Sequence, residues 1–159
     1  MKMIMIVAAL ATATPALAAN NTNFTGPRAE VTAGFNDITA SPDVNNVVYG
    51  GAVGFDVPVG DNFLAGVEAN ASNVFEDQRQ LGAAVRVGYA FNPSVMAYVK
   101  GGYNNYRDVF NNKLDGATVG GGLEFAFSKN MYAKTEYKYS DFSNNVGSHA
   151  GLVGIGIRF

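Results

Sequence analysis

The chain closes on His149-Ala-Gly-Leu-Val-Gly-Ile-Gly-Ile-Arg-Phe159. Val153, Ile155, Ile157 and Phe159 fall on one side of an extended chain, and Ala150, Leu152, Gly154, Gly156 and Arg158 fall on the other. Successive side chains alternate across a β-strand, so this segment reads as a strand with one apolar face and one mostly small or charged face. A strand of about ten residues, apolar outward and ending on an aromatic, is the building unit of a transmembrane β-barrel.

Upstream the pattern repeats. Alternation predicts strands over residues 28–36, 47–57, 63–72, 80–91, 95–104, 116–127 and 131–140, with 149–159 as the last. The clearest is 80–91, where Leu81, Ala83, Val85, Val87, Tyr89 and Phe91 alternate with Gln80, Gly82, Ala84, Arg86, Gly88 and Ala90. Pro58 to Asn62, Asn92 to Ser94 and Ser128 to Asn130 have the composition of tight turns. The remaining connections, 37–46, 73–79, 107–115 and 141–148, are longer and polar. Short turns on one side and longer loops on the other predict an all-β fold, an eight-stranded antiparallel up-and-down transmembrane β-barrel.

The amino terminus carries Lys2, an apolar run from Met3 to Ala13, Pro15 and then Ala16-Leu17-Ala18. A basic start, a short apolar stretch and an A-x-A site predict a cleaved signal peptide over residues 1–18, followed by the barrel domain over 19–159. The run is too short to span a bilayer as a helix. Residues 20–26 read as a polar leader. The chain has no cysteine, which removes disulfides and cysteine-based metal or nucleophile sites. A formal charge of −2 gives no electrostatic footprint for nucleic acid.

Alternation alone does not say which face points inward. A secreted lipocalin-like barrel would place its apolar face around a ligand. Three features favour apolar-out. Every charge assigned to a strand lies on the other face: Arg28, Arg86, Lys100, Lys134, Lys138 and Arg158 against Glu30, Asp56, Glu68, Glu124 and Glu136. That near balance suits charges confined together. Twelve of the nineteen glycines share that face, where a narrow lumen needs small residues beside long ones. Aromatics gather at both ends of the apolar face, with Val, Ala, Leu and Ile between them, as in the two girdles of a lipid-facing surface. A closed barrel also leaves no sheet edge in hydrocarbon, so the last strand must pair with the first, setting Arg158 on the strand beside Glu30.

Three segments, Ala97-Tyr-Val-Lys-Gly-Gly-Tyr103, Tyr132-Ala-Lys-Thr-Glu-Tyr-Lys-Tyr139 and Gly154-Ile-Gly-Ile-Arg-Phe159, resemble the small eight-stranded outer-membrane barrels of Gram-negative bacteria. The nearest in kind are the opacity-like, porin-annotated surface proteins, with the OmpX type and the OmpA transmembrane domain as cousins. The resemblance implies an integral outer-membrane location, contact with lipid and lipopolysaccharide, and a monomer. It implies that Phe159 is read by the barrel-assembly machinery, and that a charge network closes the lumen. The chain departs from adhesive members in its short loops, and from OmpA-type proteins in having no stretch resembling their peptidoglycan-binding domain.

The expected lumen network is Arg28, Glu30, Glu68, Arg86, Lys100, Glu124, Lys134, Glu136, Lys138 and Arg158, because an eight-stranded barrel is just wide enough for side chains to fill. Two readings stand beside a structural, surface role: a narrow ion or solute pore, and a binding module acting through the loops. For the latter, Phe75, Tyr106, Phe110 and Phe142 are the candidate contacts, since exposed aromatics anchor interfaces. Some outer-membrane barrels use a serine with a histidine base, but Ser148 and the lone His149 would project from opposite faces of one strand. No catalytic residue, cofactor or metal site is therefore expected; the acidic loop residues lack calcium-loop spacing.

Overall fold

The computed structural model describes residues 23–38, 46–73, 79–107, 113–142 and 146–159. The expected signal peptide, Phe75 and Phe110 lie outside them, as do the side chains of Tyr106 and Phe142. Eight strands follow in chain order: β1 (Gly26–Ile38), β2 (Asn46–Pro58), β3 (Phe63–Ser72), β4 (Arg79–Asn92), β5 (Val95–Arg107), β6 (Lys113–Ala126), β7 (Met131–Phe142) and β8 (Val146–Arg158). Each pairs antiparallel with its neighbours in sequence, and β1 with β8 closes the barrel.

The strands run further toward the loops than the apolar pattern suggested. β5 and β6 stay in register out to Arg107 opposite Lys113, and β7 and β8 out to Phe142 opposite Val146. Ladder hydrogen bonds do not depend on apolar side chains, so pairing continues past the apolar belt. Asn105, beyond the expected end of its strand, and Asp115, expected in the loop, are cross-strand partners there, with Asn105 Nδ2 donating to Asp115 Oδ1 at 2.6 Å.

Alternation sorts the two faces. Val31, Val67, Val85, Val99, Val119, Val153 and Ile155 are exposed on the outer surface. Phe63, Tyr89, Phe91, Phe125, Phe127 and Phe159 are exposed near the short turns, and Phe35, Tyr103 and Tyr137 toward the other end. Phe63 and Tyr89, paired in register, meet edge to face at 5.0 Å, and Tyr89 meets Phe91 at 5.3 Å. Such edge contacts add to simple burial. An exterior of this kind belongs in hydrocarbon, since water would leave a continuous apolar band uncovered.

The register of closure is specific. Arg158 stands opposite Arg28, and Glu30 stands opposite Gly156. At the first residue of β1, the chain turns out of the barrel mouth through Gly26, whose φ of +100° is readily adopted only without a Cβ. A Cβ there would also meet the carbonyl oxygen of Phe159 at 2.8 Å.

Candidate functional site

The inside of the barrel is the one place where chemistry concentrates. At the turn end, Phe24 enters the lumen and is completely buried against Leu64, Ala90, Met96 and Tyr98. Its carbonyl accepts a hydrogen bond from Arg158 Nη1 at 2.6 Å, and the Arg158 guanidinium lies over both the Phe24 and Tyr132 rings. Asn23 ties the segment to the β4–β5 turn by donating to the Pro93 carbonyl at 3.0 Å. Residues 23–26 thus do more than the polar leader expected of this stretch: Phe24 is an apolar stopper at this mouth. A lone aromatic in a polar stretch was the available signal.

Above the stopper lies a layer organised by Asp56. Its Oδ2 accepts from Arg28 Nε at 3.1 Å, Arg86 Nη2 at 2.6 Å and Arg158 Nη1 at 2.8 Å, while Oδ1 accepts from Arg86 Nε at 2.8 Å. Glu124 completes the layer, one oxygen taking Arg86 and the other Arg158. Planar guanidinium groups present several donors in fixed directions, so three of them can share one aspartate without leaving the barrel wall. Asp56 was placed on the lumen face but omitted from the expected network; spacing along one strand does not show that strands β1, β4 and β8 all reach it. The space is made by absent side chains: a Cβ on Gly54 would fall 2.8 Å from Arg28 Nη2.

Arg28 also joins this layer to the next, donating to Glu30 at 2.9 Å and to Glu68 at 2.7 Å. There Lys100 bridges Glu68 and Glu136, each at 2.8 Å, and Lys134 bridges Glu30 and Glu136. Two tyrosines cap the carboxylates, Tyr132 donating to Glu30 and Tyr98 to Glu136, both at 2.6 Å. Arg86 lies over the Tyr98 ring at 5.1 Å. Every charged side chain in these two layers is nearly or wholly removed from solvent. Charges so placed are tolerated only when paired and hydrogen-bonded.

The structure therefore brings together Arg28, Glu30, Glu68, Arg86, Lys100, Glu124, Lys134, Glu136 and Arg158, with Asp56 added. Arg158, set on the strand beside Glu30 by closure, forms its ion pairs with Asp56 and Glu124. Lys138 also faces the lumen but, among the described residues, forms no ion pair; it lines a cavity of about 30 Å³ above the cluster. Further out, neutral groups take over: Asn104 donates to Thr118, whose hydroxyl lies 3.0 Å from that of Ser140.

The serine and histidine of the last strand point apart. Ser148 is buried and bonded to Asn36 Oδ1. His149 is on the outer surface, its Nδ1 2.6 Å from Tyr137 Oη and its ring 4.9 Å from that of Tyr139. Among the described residues no cluster of His, Asp or Glu could hold a metal ion.

Residues 6–159 match the family model of the outer membrane protein β-barrel domain. A 25 kDa outer-membrane immunogenic protein of Brucella ovis is 33% identical over 116 residues, which cover 62% of this chain and 57% of that protein. The chain thus spans little more than half the length of that relative. The N-terminal β-barrel domain of Pseudomonas aeruginosa OprF superposes with a TM-score of 0.61 at 17% identity, covering 85% of this chain and 99% of that one. Ail, the attachment invasion locus protein of Yersinia pestis, gives 0.56 at 14% identity, covering 86% and 100%. At such identities the likeness concerns the fold. Matched over nearly its whole length, the chain belongs to the outer membrane protein β-barrel family and resides in the Gram-negative outer membrane.

Proposed function

We propose that this protein is a non-conducting, non-enzymatic structural barrel of the outer membrane, its surface role carried by the exterior and its lumen sealed by charge. The observation that carries the reading is the Asp56 layer. Its side chains run wall to wall from β1, β2, β4, β6 and β8 and are almost fully buried, and Phe24 stops the mouth beneath them. An ion moving along the axis would have to part several charge-assisted bonds at once, which are the strongest of their kind.

In this reading the aliphatic belt and girdles contact lipid and lipopolysaccharide, the barrel works as a monomer, and Phe159 is the residue read by the barrel-assembly machinery. Its 72% exposure supports that last role, because a recognised terminus must be reachable. The test is planar-bilayer recording on refolded protein. Silence across the voltage range is expected. Resolvable single-channel steps would overturn the sealed-lumen reading in favour of a narrow pore.

A further inference from the structure

We propose that the outer half of the lumen is a binding site for a small inorganic anion of chloride size, held by Lys138. The argument starts from a charge count. In the two buried layers five cations, Arg28, Arg86, Lys100, Lys134 and Arg158, meet five carboxylates, Glu30, Asp56, Glu68, Glu124 and Glu136. The set is neutral by itself. Lys138 is the sixth cation on this face, and among the described residues no carboxylate pairs with it.

Its neighbours do not offer one. The register places Gly120 on one side of Lys138 and Ala150 on the other, and neither has a polar side chain. Across Gly120 stands Lys100, a second cation, whose stem would lie 3.7 Å from a Cβ at Gly120. Glu30, Glu68 and Glu136 face the same space, but each is already bridged by two of Arg28, Lys100 and Lys134.

A cavity of about 30 Å³ lies against Lys138, the cation that the buried layers leave uncompensated. Lys100 and Lys134 line it too, beside Glu30, Glu68 and Glu136, with Asn104 and Thr118 in the same wall. Its size suits one small species. A water there would satisfy hydrogen bonds but leave the ammonium charge uncompensated, whereas a monatomic anion supplies the missing negative charge. Asn104 spends one amide N–H on Thr118 and keeps a second on the same wall. Lys138 is half-buried, so an ion can exchange with solvent.

The test uses the full barrel refolded in detergent and unfolded in urea, in sodium chloride and in sodium gluconate at equal ionic strength. For the wild type, the folded-to-unfolded ratio is expected to rise about tenfold when chloride reaches about ten times its dissociation constant. Lys138→Met, which keeps the apolar stem and removes the charge, should show no chloride-specific rise. An equal response in the two proteins, or none in the wild type, overturns the site. Should the variant not refold, wild-type crystals grown in bromide decide the matter. An anomalous peak in contact with Lys138 Nζ is expected, and its absence overturns the proposal.

Discussion

Arg28 and Arg158 stand opposite each other across the β1–β8 seam, and a single oxygen of Asp56 accepts a hydrogen bond from both. Two like charges facing across a ladder would be destabilising by themselves. The aspartate, reaching over from β2, turns the repulsive pair into part of a bridge. Replacing it with a neutral amide, Asp56→Asn, removes the charge that three arginines share. Breaking a buried ion pair from one side costs about 3–5 kcal/mol, and a loss of that size is expected in urea unfolding followed by the shift between unboiled and boiled gel bands.

Phe24 makes a separable contribution. Truncating a buried phenylalanine to alanine costs about 3–5 kcal/mol, and Phe24→Ala should lower the unfolding midpoint accordingly. The charged layers above it remain, so this variant should stay silent in planar bilayers. Channel activity in Phe24→Ala alone would assign the seal to the stopper and not to the Asp56 layer.

Gly156 marks a place where the wall has no room. A Cβ built there falls far inside van der Waals contact with the Tyr132 ring, and that tyrosine itself holds Glu30. Overpacking of this kind costs about 1–3 kcal/mol. Gly156→Ala should therefore destabilise the barrel, and Gly151→Ala, where a Cβ meets nothing within 4 Å, should be far milder. Comparing the two unfolding midpoints checks this.

On the exterior, depth sets the cost. Val99 of β5 lies in the aliphatic belt, opposite Val87, with 66% exposure, and an arginine there is expected to cost about 2–4 kcal/mol in a bilayer. Tyr103 is exposed toward the loop end of the same strand; an arginine there should cost about 0–1 kcal/mol. Folding titrations into lipid vesicles measure both.

Phe159→Ala separates assembly from stability. Its backbone N–H, donating to the Pro27 carbonyl at 3.0 Å, ties this residue to β1, and that bond survives the substitution. Refolding in detergent should be nearly unchanged, whereas the amount of folded barrel recovered from cell envelopes should fall.

The period-two alternation was enough to find eight strands, because in a closed sheet every strand must obey it; turn composition marked the three tight turns, and charges, glycines and aromatic girdles set the orientation of the faces. What it could not carry was anything set by stagger between strands. Arg158 lies two positions away from Glu30 along the seam and pairs with Asp56 and Glu124, a choice decided by shear around the whole barrel. Asp56 looks like any other lumen carboxylate along β2, and its three arginines meet only in three dimensions. Phe24 was hidden for another reason: it lies in no strand, so no periodicity marks it. The outer strand ends were missed because Asn105 and Asp115 carry loop-like side chains on a paired backbone.

The chain positions joined at the Asp56 layer lie far apart, with Arg158 102 residues from Asp56 and 134 from Phe24. Neither of these Arg158 bonds can form in a single hairpin. A sheet still unzipped between β1 and β8 holds its ten charges without their final partners, and a seam shut one residue out of step would turn Arg158 toward lipid. The layer thus acts as a lock with one key position: only the correct register of the seam lets all ten charges find their partners.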